Sequence, residues 1–421
     1  MEATPDDPPR PRLSRIGAWL GRVDRAAAAV VLVALVVRVA YWRLAIPHYG
    51  PVSDAAHYYD IGRAVANGDG FSHTFPQLHL HPTAFRPPLF PLLLGGLFWL
   101  FGASIGLAQL TNLVLGVIAV GLAMVLAREL GCGRVGRLAV GLAVALCPPL
   151  IYNDVAILTE SLSIVLLLGT LILLGRQRWV LGGAGAGLLV LSRTSAQFIL
   201  FVVLAWLLWQ VGWRRALQVA VVAVVVIAPW SIRNAIQVGT PSLSTSNGFN
   251  LAAMYGPPAI ERRVFIDPVY DDYYDDLRLT QFHEDEWDAK LRKIGLDSLK
   301  KHPSAVVRVV RRNITAFFEL KPSRNAGAER FDGRNLHVRD SLAFLVPISA
   351  VLGTIGLWLA RRKPVAVLLS ATAVYFLLTS LFFVAAPRLR APIDLAWCVG
   401  IGILVEWLVD RRRRPAGTVP A

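Results

Sequence analysis

The stretch that decides the fold is residues 47–88, which read PHYGPVSDAAHYYDIGRAVANGDGFSHTFPQLHLHPTAFRPP. This stretch is polar, although strongly apolar runs precede and follow it in the chain. A polar segment between two such runs must lie at a membrane surface, because unsatisfied polar groups are costly in the hydrocarbon core. It carries Asp54, Asp60 and Asp69, five of the eight histidines, and Arg86 before two prolines. A simple connection between two helices would not need this chemistry.

The composition places the chain in a membrane. Of its 421 residues, 55% are hydrophobic and 17% are charged, and the mean hydropathy is +0.52. A soluble domain has about 25% charged residues. Many apolar runs of this chain reach the length of about 20 residues that a helix needs to span a bilayer, and the sequence lacks the alternation of a barrel. We therefore expect an all-α polytopic membrane protein.

The net charge of +15 raises the possibility of a nucleic-acid partner. The arginines, however, cluster at the ends of apolar runs, where the positive-inside rule places them, so we exclude nucleic acid as a partner. The three cysteines, Cys132, Cys147 and Cys398, have no metal-ligand spacing and lie in or beside predicted helices, which argues against a disulfide framework.

Ten membrane spans are predicted from the apolar runs and the basic residues that flank them. They are Ala26–Ile46, Leu107–Leu126, Val135–Leu150, Ile157–Leu174, Val180–Leu191, Ala196–Val211, Leu217–Ile236, Leu342–Leu359, Val365–Val384 and Pro392–Val409. This arrangement puts both termini in the cytoplasm and residues 47–88 outside the plasma membrane. The short run Leu89–Phe101 is expected to lie in, or re-enter, the outer interface, since this choice keeps Arg128 and Arg134 inside.

The spans divide the chain into five parts. They are a disordered cytoplasmic arm (1–25), an N-terminal transmembrane module (26–236) with a first extracytoplasmic loop (47–105), an extracytoplasmic segment with interfacial helices (237–340), C-terminal transmembrane helices (341–410) and a basic cytoplasmic tail (411–421).

Five arginines break the charge rule, because they fall on or just within the predicted outer side. They are Arg86, Arg193, Arg233, Arg388 and Arg390. Charges at membrane depth are expensive and are usually functional. A cluster of guanidinium groups suits a phosphate ester, which arginine can bind through two parallel hydrogen bonds. The alternative is that each arginine neutralises a lipid headgroup or a nearby acid.

Acidic residues form a second set on the same side. Asp54 follows the first span, while Asp154 and Glu160 bracket the loop before the fourth. Carboxylates in such places can act as a general base toward a hydroxyl or hold a divalent cation. The alternative is helix capping, which is favoured for Asp154 and as plausible as catalysis for Glu160. Tyr58 lies at i+4 from Asp54 and shares its helix face, where it would hold an acceptor or pack on the membrane surface.

The histidines of the first loop offer a possible metal site. His79 and His81 are the best placed, but their spacing matches no strong metal motif.

Eight features occur in an order that resembles a known family. They are Asp54 after the first span, GDGF (68–71), RPPLFPLLL (86–94), TESL (159–162), PWSIRN (229–234), STSNGFNL (244–251), HPSAVV (302–307) and RLRAPI (388–393). The sequence resembles the GT-C membrane glycosyltransferases, in the branch of the protein O-mannosyltransferases and the lipid A aminoarabinose transferase, which is glycosyltransferase family 39.

The resemblance implies a GT-C bundle and a polyprenyl-phosphate sugar as donor. It implies that Asp54 deprotonates or positions the acceptor hydroxyl and that Arg86 contacts the lipid phosphate. The acid of the second outer loop corresponds to Glu160, with Asp154 nearby. The segment RLRAPI implicates Arg388 and Arg390 in the basic stretch near the donor.

Two departures from the family pattern leave the role of a metal open. Ala55 follows Asp54 where the O-mannosyltransferases have an Asp-Glu pair, and Phe85 stands where the aminoarabinose transferase has a metal-binding Glu.

The function expected is inverting transfer of a sugar to a hydroxyl of a protein, glycan or lipid. One alternative is a transporter or flippase of a lipid-linked anionic sugar, which would need polar groups deep in its spans, where few are visible. A second alternative is an envelope scaffold, which would tolerate the loss of Asp54 and Arg86.

Overall fold

The computed structural model describes residues 24–75, 79–278, 283–321 and 326–413. It is 76% helical with almost no strand, so the expected all-α fold class is confirmed. The expectations for the N-terminal arm and the C-terminal tail fall mainly on residues outside these ranges.

The described part of the first half contains ten helices and one small strand pair. The helices are α1 (Arg25–Ala40, extended by a π turn at Tyr41–Ala45), α2 (Asp54–Asn67), α3 (Leu89–Phe101), α4 (Ile105–Glu129), α5 (Arg134–Leu146), α6 (Pro148–Asn153), α7 (Glu160–Gly175), α8 (Trp179–Ser192), α9 (Ile199–Gln210) and α10 (Trp213–Gln237). The strands β1 (Ser72–His73) and β2 (His81–Pro82) pair antiparallel within the first loop.

The second half begins with short helices and ends with long apolar ones. They are α11 (Ser246–Tyr255), α12 (Pro257–Arg262), α13 (Asp275–Arg278), α14 (Glu284–Lys301), α15 (Ala305–Phe317), α16 (Ala326–Phe331), α17 (Leu336–Leu342), α18 (Leu345–Leu359), α19 (Pro364–Phe382) and α20 (Ala391–Arg413). Short 3-10 turns occupy Thr194–Ala196, Asp272–Tyr274 and Pro387–Arg390.

Among the described residues, five helical segments are long and apolar enough to cross a membrane, or six if the pair α17 and α18, bent by 49°, counts as one span. The helices α3, α7, α8 and α9 are apolar but shorter. The chain is therefore a multi-pass membrane protein, while the count of ten spans stays a prediction. The third predicted span is interrupted after Leu146, because Pro148 and Pro149 cannot donate the hydrogen bonds that would continue α5.

The basic helix ends that are predicted to be cytoplasmic lie together at one end of the bundle. The Arg134 guanidinium is 2.9 Å from Asp24, and Arg176 is 2.7 Å from Glu129. Lys363 donates to the main chain just after α4. This grouping places these helix ends on the same side of the bundle, while the cytoplasmic assignment of that side stays a prediction.

Helix α3 starts and finishes at the opposite end of the bundle. It has 13 residues, about 20 Å at 1.5 Å per residue, which is shorter than the hydrocarbon core of about 30 Å. It packs along the polar helix α2, and only three residues separate it from α4, which runs from there to the basic end. The position of α3 in the outer interface stays a prediction, because α8 and α9, which are predicted spans, are about as short.

The last helix is held by a close crossing with α18. A Cβ added to Gly356 would overlap the backbone of Gly400, and one added to Gly353 would overlap Trp397. Small residues let membrane helices approach until their backbones touch, and this packing replaces the hydrophobic driving force that is missing in lipid. The crossing fixes α20 and, with it, the polar turn that precedes α20.

Replacing Gly356 by Ala should destabilise the protein by roughly 1–3 kcal/mol, because the methyl group forces the two backbones apart. Thermal unfolding of purified protein in detergent measures this as a lower transition temperature. Gly121→Ala is the matched control, since a Cβ there meets nothing within 4 Å. An unchanged transition temperature for Gly356→Ala would contradict the crossing.

Candidate active site

The Asp54 carboxylate lies between two guanidinium groups. It belongs to the first residue of α2. Arg86 donates to its Oδ1 through Nη2, and Arg388 donates to its Oδ2 through Nη2. The cluster therefore joins the first polar loop to the turn before the last helix.

Arg86 is oriented by its neighbours on α2. Its Nε lies 3.1 Å from Nδ1 of His57, and its guanidinium carbon lies 4.8 Å from the Phe85 ring centre and 5.6 Å from that of Tyr58. Burial and the nearby Arg86 charge lower the pKa of His57 well below its usual value. His57 is therefore neutral, and its Nδ1 accepts a hydrogen bond from Arg86. Tyr58 is buried in the site rather than packed on the membrane surface.

The protonation state of Asp54 follows from its two partners. Burial alone would raise the pKa of Asp54, but the charges of Arg86 and Arg388 outweigh burial and hold this pKa well below the usual range. The carboxylate is therefore ionised at every pH at which the protein is expected to work.

A second charged pair lies beside this cluster. Arg193, directly after α8, has its Nη2 3.5 Å from Oε1 of Glu160, the first residue of α7. Both side chains are buried, and within the described residues the Nη1 of Arg193 and the Oε2 of Glu160 have no hydrogen-bond partner. Buried polar atoms without a partner are costly, and in a polar site they point to a missing ligand or water.

The structure adds one acid that the sequence reasoning missed. Oδ1 of Asp332 lies 3.2 Å from Nε of Arg388, so one guanidinium bridges Asp54 and Asp332. In the sequence, Asp332 precedes a glycine and resembles an ordinary turn. Gly333 has φ +75° and lies so close to the ring of Tyr49 that a Cβ would overlap it. Burial raises the pKa of Asp332 to about 6 against the opposing charge of Arg388.

A buried network positions the segment that carries Asp332. Nη1 of Arg334 lies 3.1 Å from Oε1 of Glu329, and Nη2 lies 3.2 Å from Oδ1 of Asn153. The Asn153 side chain in turn donates to the carbonyl oxygen of Arg388 at 3.3 Å. The network therefore couples Asp332 and Arg388 to the same structural support.

The loop that carries Arg86 is fixed by Glu284 at the start of α14. The Glu284 carboxylate accepts hydrogen bonds from Thr83 Oγ1 at 2.6 Å and from the Ala84 amide at 2.8 Å. It also accepts a hydrogen bond from the Thr245 hydroxyl. A charged acceptor with several donors is an effective anchor, because charge-assisted hydrogen bonds are the strong ones.

Arg233 supports the same loop instead of joining the arginine cluster. Its guanidinium donates to the carbonyl oxygens of Thr83 at 2.6 Å and Phe71 at 2.7 Å. This use of its donors explains a basic residue on the outer side without a phosphate ligand.

Two further predicted site residues lie in closed networks. Asp154 is buried against Arg38, whose Nη2 lies 2.7 Å from Oδ2, and accepts from Ser161 at 2.7 Å. The expectation that Asp154 caps a helix is wrong, because this carboxylate neutralises a charge on α1 instead. Arg390 lies 2.9 Å from Asp394 and also donates to the carbonyl oxygen of Phe317. Both residues support the fold around the site.

The described residues contain no group of three His, Cys, Asp or Glu side chains that could hold a metal ion. His81 lies 3.4 Å from Glu284, which already anchors the loop. At Asp54 a divalent cation would face the charges of Arg86 and Arg388, so these residues do not fit a metal.

A narrow crevice, too small to hold a water molecule, lies next to the arginines. It lies between the prolines that follow Arg86 and the turn that follows Arg193. Its lining residues are Pro87, Pro88, Val190, Leu191, Thr194, Gln197, Leu243 and Ser244.

The fold is similar to that of solved GT-C membrane glycosyltransferases. The chain is similar to the crystal structure of the Archaeoglobus fulgidus oligosaccharyltransferase in complex with Zn and sulfate, with a TM-score of 0.53 and 15% identity over 91% of this chain and 49% of that one. It is also similar to the archaeal oligosaccharyltransferase AglB from the same organism in complex with an inhibitory peptide and a dolichol-phosphate, with a TM-score of 0.52 and 13% identity over 94% and 52%. The chain thus spans about half the length of these enzymes.

A further similar structure is ArnT from Cupriavidus metallidurans bound to undecaprenyl phosphate, with a TM-score of 0.43 and 15% identity over 91% of this chain and 77% of that one. No family model matches the sequence, and no curated protein matches it either. The predicted GT-C fold is confirmed, while membership of family 39 stays a prediction.

Replacing Glu284 by Ala should free the Arg86 loop, because the Ala84 amide and two threonine hydroxyls lose their acceptor. A lost charge-assisted hydrogen bond of about 1.5–3 kcal/mol corresponds to about 10- to 100-fold faster exchange of the Ala84 amide. Hydrogen–deuterium exchange over residues 81–86 measures this change. Glu286→Ala, an exposed site on the same helix, is the control. Full protection of Ala84 in folded Glu284→Ala protein would contradict the anchoring role.

Proposed function

We propose that this protein is an inverting membrane glycosyltransferase that moves a sugar from a polyprenyl-phosphate donor to an acceptor hydroxyl. The observation that carries the proposal is the convergence of Arg86 and Arg388 on one carboxylate, with Arg193 beside them, in a GT-C fold. This cluster supports the recognition of an anionic group more specifically than isolated surface arginines would.

The phosphate of the donor would compete with Asp54 for the two guanidinium groups. Arginine binds phosphate and carboxylate with the same bidentate geometry, so Asp54 occupies donors that a phosphate could use. The lipid phosphate gains negative charge as its bond to the sugar breaks. Fixed positive groups at that oxygen stabilise the transition state without reorganising, and this is the main catalytic contribution expected of Arg86 and Arg388.

A lipid-linked donor would require the crevice next to the arginines to widen, because in this structure it is too narrow for a water molecule. The crevice begins at the prolines next to Arg86 and runs beside the turn that carries Arg193. An isoprenoid chain needs such an apolar surface next to the group that binds its phosphate. The structure of AglB, which has a similar fold, is a complex with a dolichol-phosphate, a ligand of the same chemical class.

The remaining site residues are proposed to position the substrates. Asp54 holds the two arginines and orients the acceptor hydroxyl, and Tyr58 packs against Arg86 at the floor of the site. Glu160 holds Arg193 for the donor phosphate. Direct attack of the hydroxyl on the anomeric carbon inverts its configuration without a covalent intermediate. On the predicted topology, the reaction takes place at the outer face of the plasma membrane.

The proposal is tested by binding and transfer measurements on Arg388→Gln protein in nanodiscs. Undecaprenyl phosphate should bind about 10- to 100-fold more weakly, because one charge-assisted interaction of about 1.5–3 kcal/mol is lost. Transfer from undecaprenyl phosphate carrying mannose, arabinose or aminoarabinose to an envelope extract of the source organism should fall at least as much. Arg178→Gln is the matched control, because Arg178 is exposed at the basic end of the bundle.

Asp54→Asn should abolish transfer while the protein stays folded. Unchanged lipid binding by folded Arg388→Gln protein, or full transfer by Asp54→Asn protein, would contradict the proposal. Movement of a lipid-linked sugar across reconstituted membranes without any transfer would favour the flippase alternative instead.

A further inference from the structure

We propose that Asp332 is a catalytic residue that accepts the proton of the acceptor hydroxyl during sugar transfer. The proposal rests on the proposed glycosyltransferase activity and assigns a role within that same site. It assigns different roles to the two carboxylates that flank Arg388. Asp54 organises the positive charges, and Asp332 takes the proton.

The geometry distinguishes the two carboxylates. Both oxygens of Asp54 are engaged, one by Arg86 and the other by Arg388. Among the described residues, Asp332 makes a single ion pair, through Oδ1 to Nε of Arg388. We therefore assign its second oxygen to the substrate hydroxyl, at a point one guanidinium away from the place proposed for the donor phosphate.

The surrounding charges give Asp332 a suitable proton affinity. The groups that face it are Arg388 from the turn before α20, Arg334 from its own segment, Asp54 from α2 and Glu160 from α7. Burial is the strongest influence and raises the pKa of Asp332 to about 6, with the two acids acting in the same direction and the two arginines opposing them. The phenol of Tyr49 also lies in its field.

A general base works best when its pKa lies near the pH of the reaction. Asp54, whose pKa two arginines hold far below neutrality, is a weak acceptor of a hydroxyl proton. Asp332 is ionised at neutral pH but binds a proton far more readily than Asp54 does. Two carboxylates with separated proton affinities in one site are typical of a division between an electrostatic role and an acid–base role.

The step balances as a single displacement. The acceptor oxygen forms a bond to the anomeric carbon while its proton moves to Oδ2 of Asp332. The bond between the anomeric carbon and the phosphate oxygen breaks, and its electron pair stays on the lipid phosphate next to Arg86 and Arg388. Asp332 then returns the proton to solvent, and the step needs no oxidant or reductant.

The test compares Asp332→Asn with wild-type protein in nanodiscs, with the three undecaprenyl phosphate sugars named above as donors and water or the envelope extract as acceptor. Transfer should fall about 100- to 10,000-fold, the usual contribution of a general base. Undecaprenyl phosphate binding should stay equal or become tighter, because a negative charge next to Arg388 is removed. Asp297→Asn, an exposed carboxylate on α14, is the control.

The pH profile gives the readout that a structural role would not produce. In wild-type protein kcat/KM should rise with pH through about 6 and level off above 7, because only the ionised base is active. The slow residual reaction of Asp332→Asn should lose this rise. Asp332→Glu, which keeps a carboxylate, should retain the rise with a lower plateau, and it serves if the Asn variant does not fold.

Three results would overturn the proposal. These are a flat wild-type profile between pH 5 and pH 7.5, wild-type transfer rates in Asp332→Asn protein, or a loss of lipid binding in that variant as large as its loss of transfer. In each case Arg388→Gln can still impair binding and transfer, so the proposed function would survive without this assignment. Wild-type protein that turns over none of the three donors would remove the proposed function itself and this inference with it.

Discussion

The organisation of this protein depends on one carboxylate between two guanidinium groups. Asp54 and Arg388 are separated by 334 positions in the chain, and Arg86 comes from the first polar loop. Two positively charged arginines are costly to bring together in a partly buried place unless each has a negatively charged partner. Asp54 supplies that partner for both arginines, so the first polar loop and the turn before the last helix must adopt their positions together.

The segments around this cluster are fixed by further buried pairs rather than by regular secondary structure. Arg38 on α1 binds Asp154, which holds the loop between α6 and α7. Arg334 and Glu329 hold the turn of Asp332. Breaking such a pair leaves an uncompensated charge and costs several kcal/mol, whereas the intact pair adds little net stability. We interpret these pairs as devices that select one arrangement of irregular backbone at the edge of an apolar bundle.

The same arrangement explains why two acids in one site differ so much in proton affinity. Asp54 has ion pairs with two arginines and stays ionised. Among the described residues Asp332 has one ion pair, and burial raises its pKa to about 6. Arg388 connects them and transmits a change at one to the other. A ligand phosphate on Arg388 would weaken the attraction that Asp54 and Asp332 both feel, and so would raise the proton affinity of both.

The sequence by itself determined the helical membrane fold, the apolar segments and the choice of Asp54, Arg86 and Arg388 as candidate site residues. These features follow from local rules, since hydropathy and flanking charge act residue by residue along the chain. Only the tertiary structure decided that Arg233, Arg390 and Asp154 serve neighbouring backbone and side chains, because the identity of a charged residue does not reveal its partner. It also decided the place of Asp332, whose turn sequence is ordinary and whose chemistry arises from burial and from Arg388, contributed by a distant part of the chain.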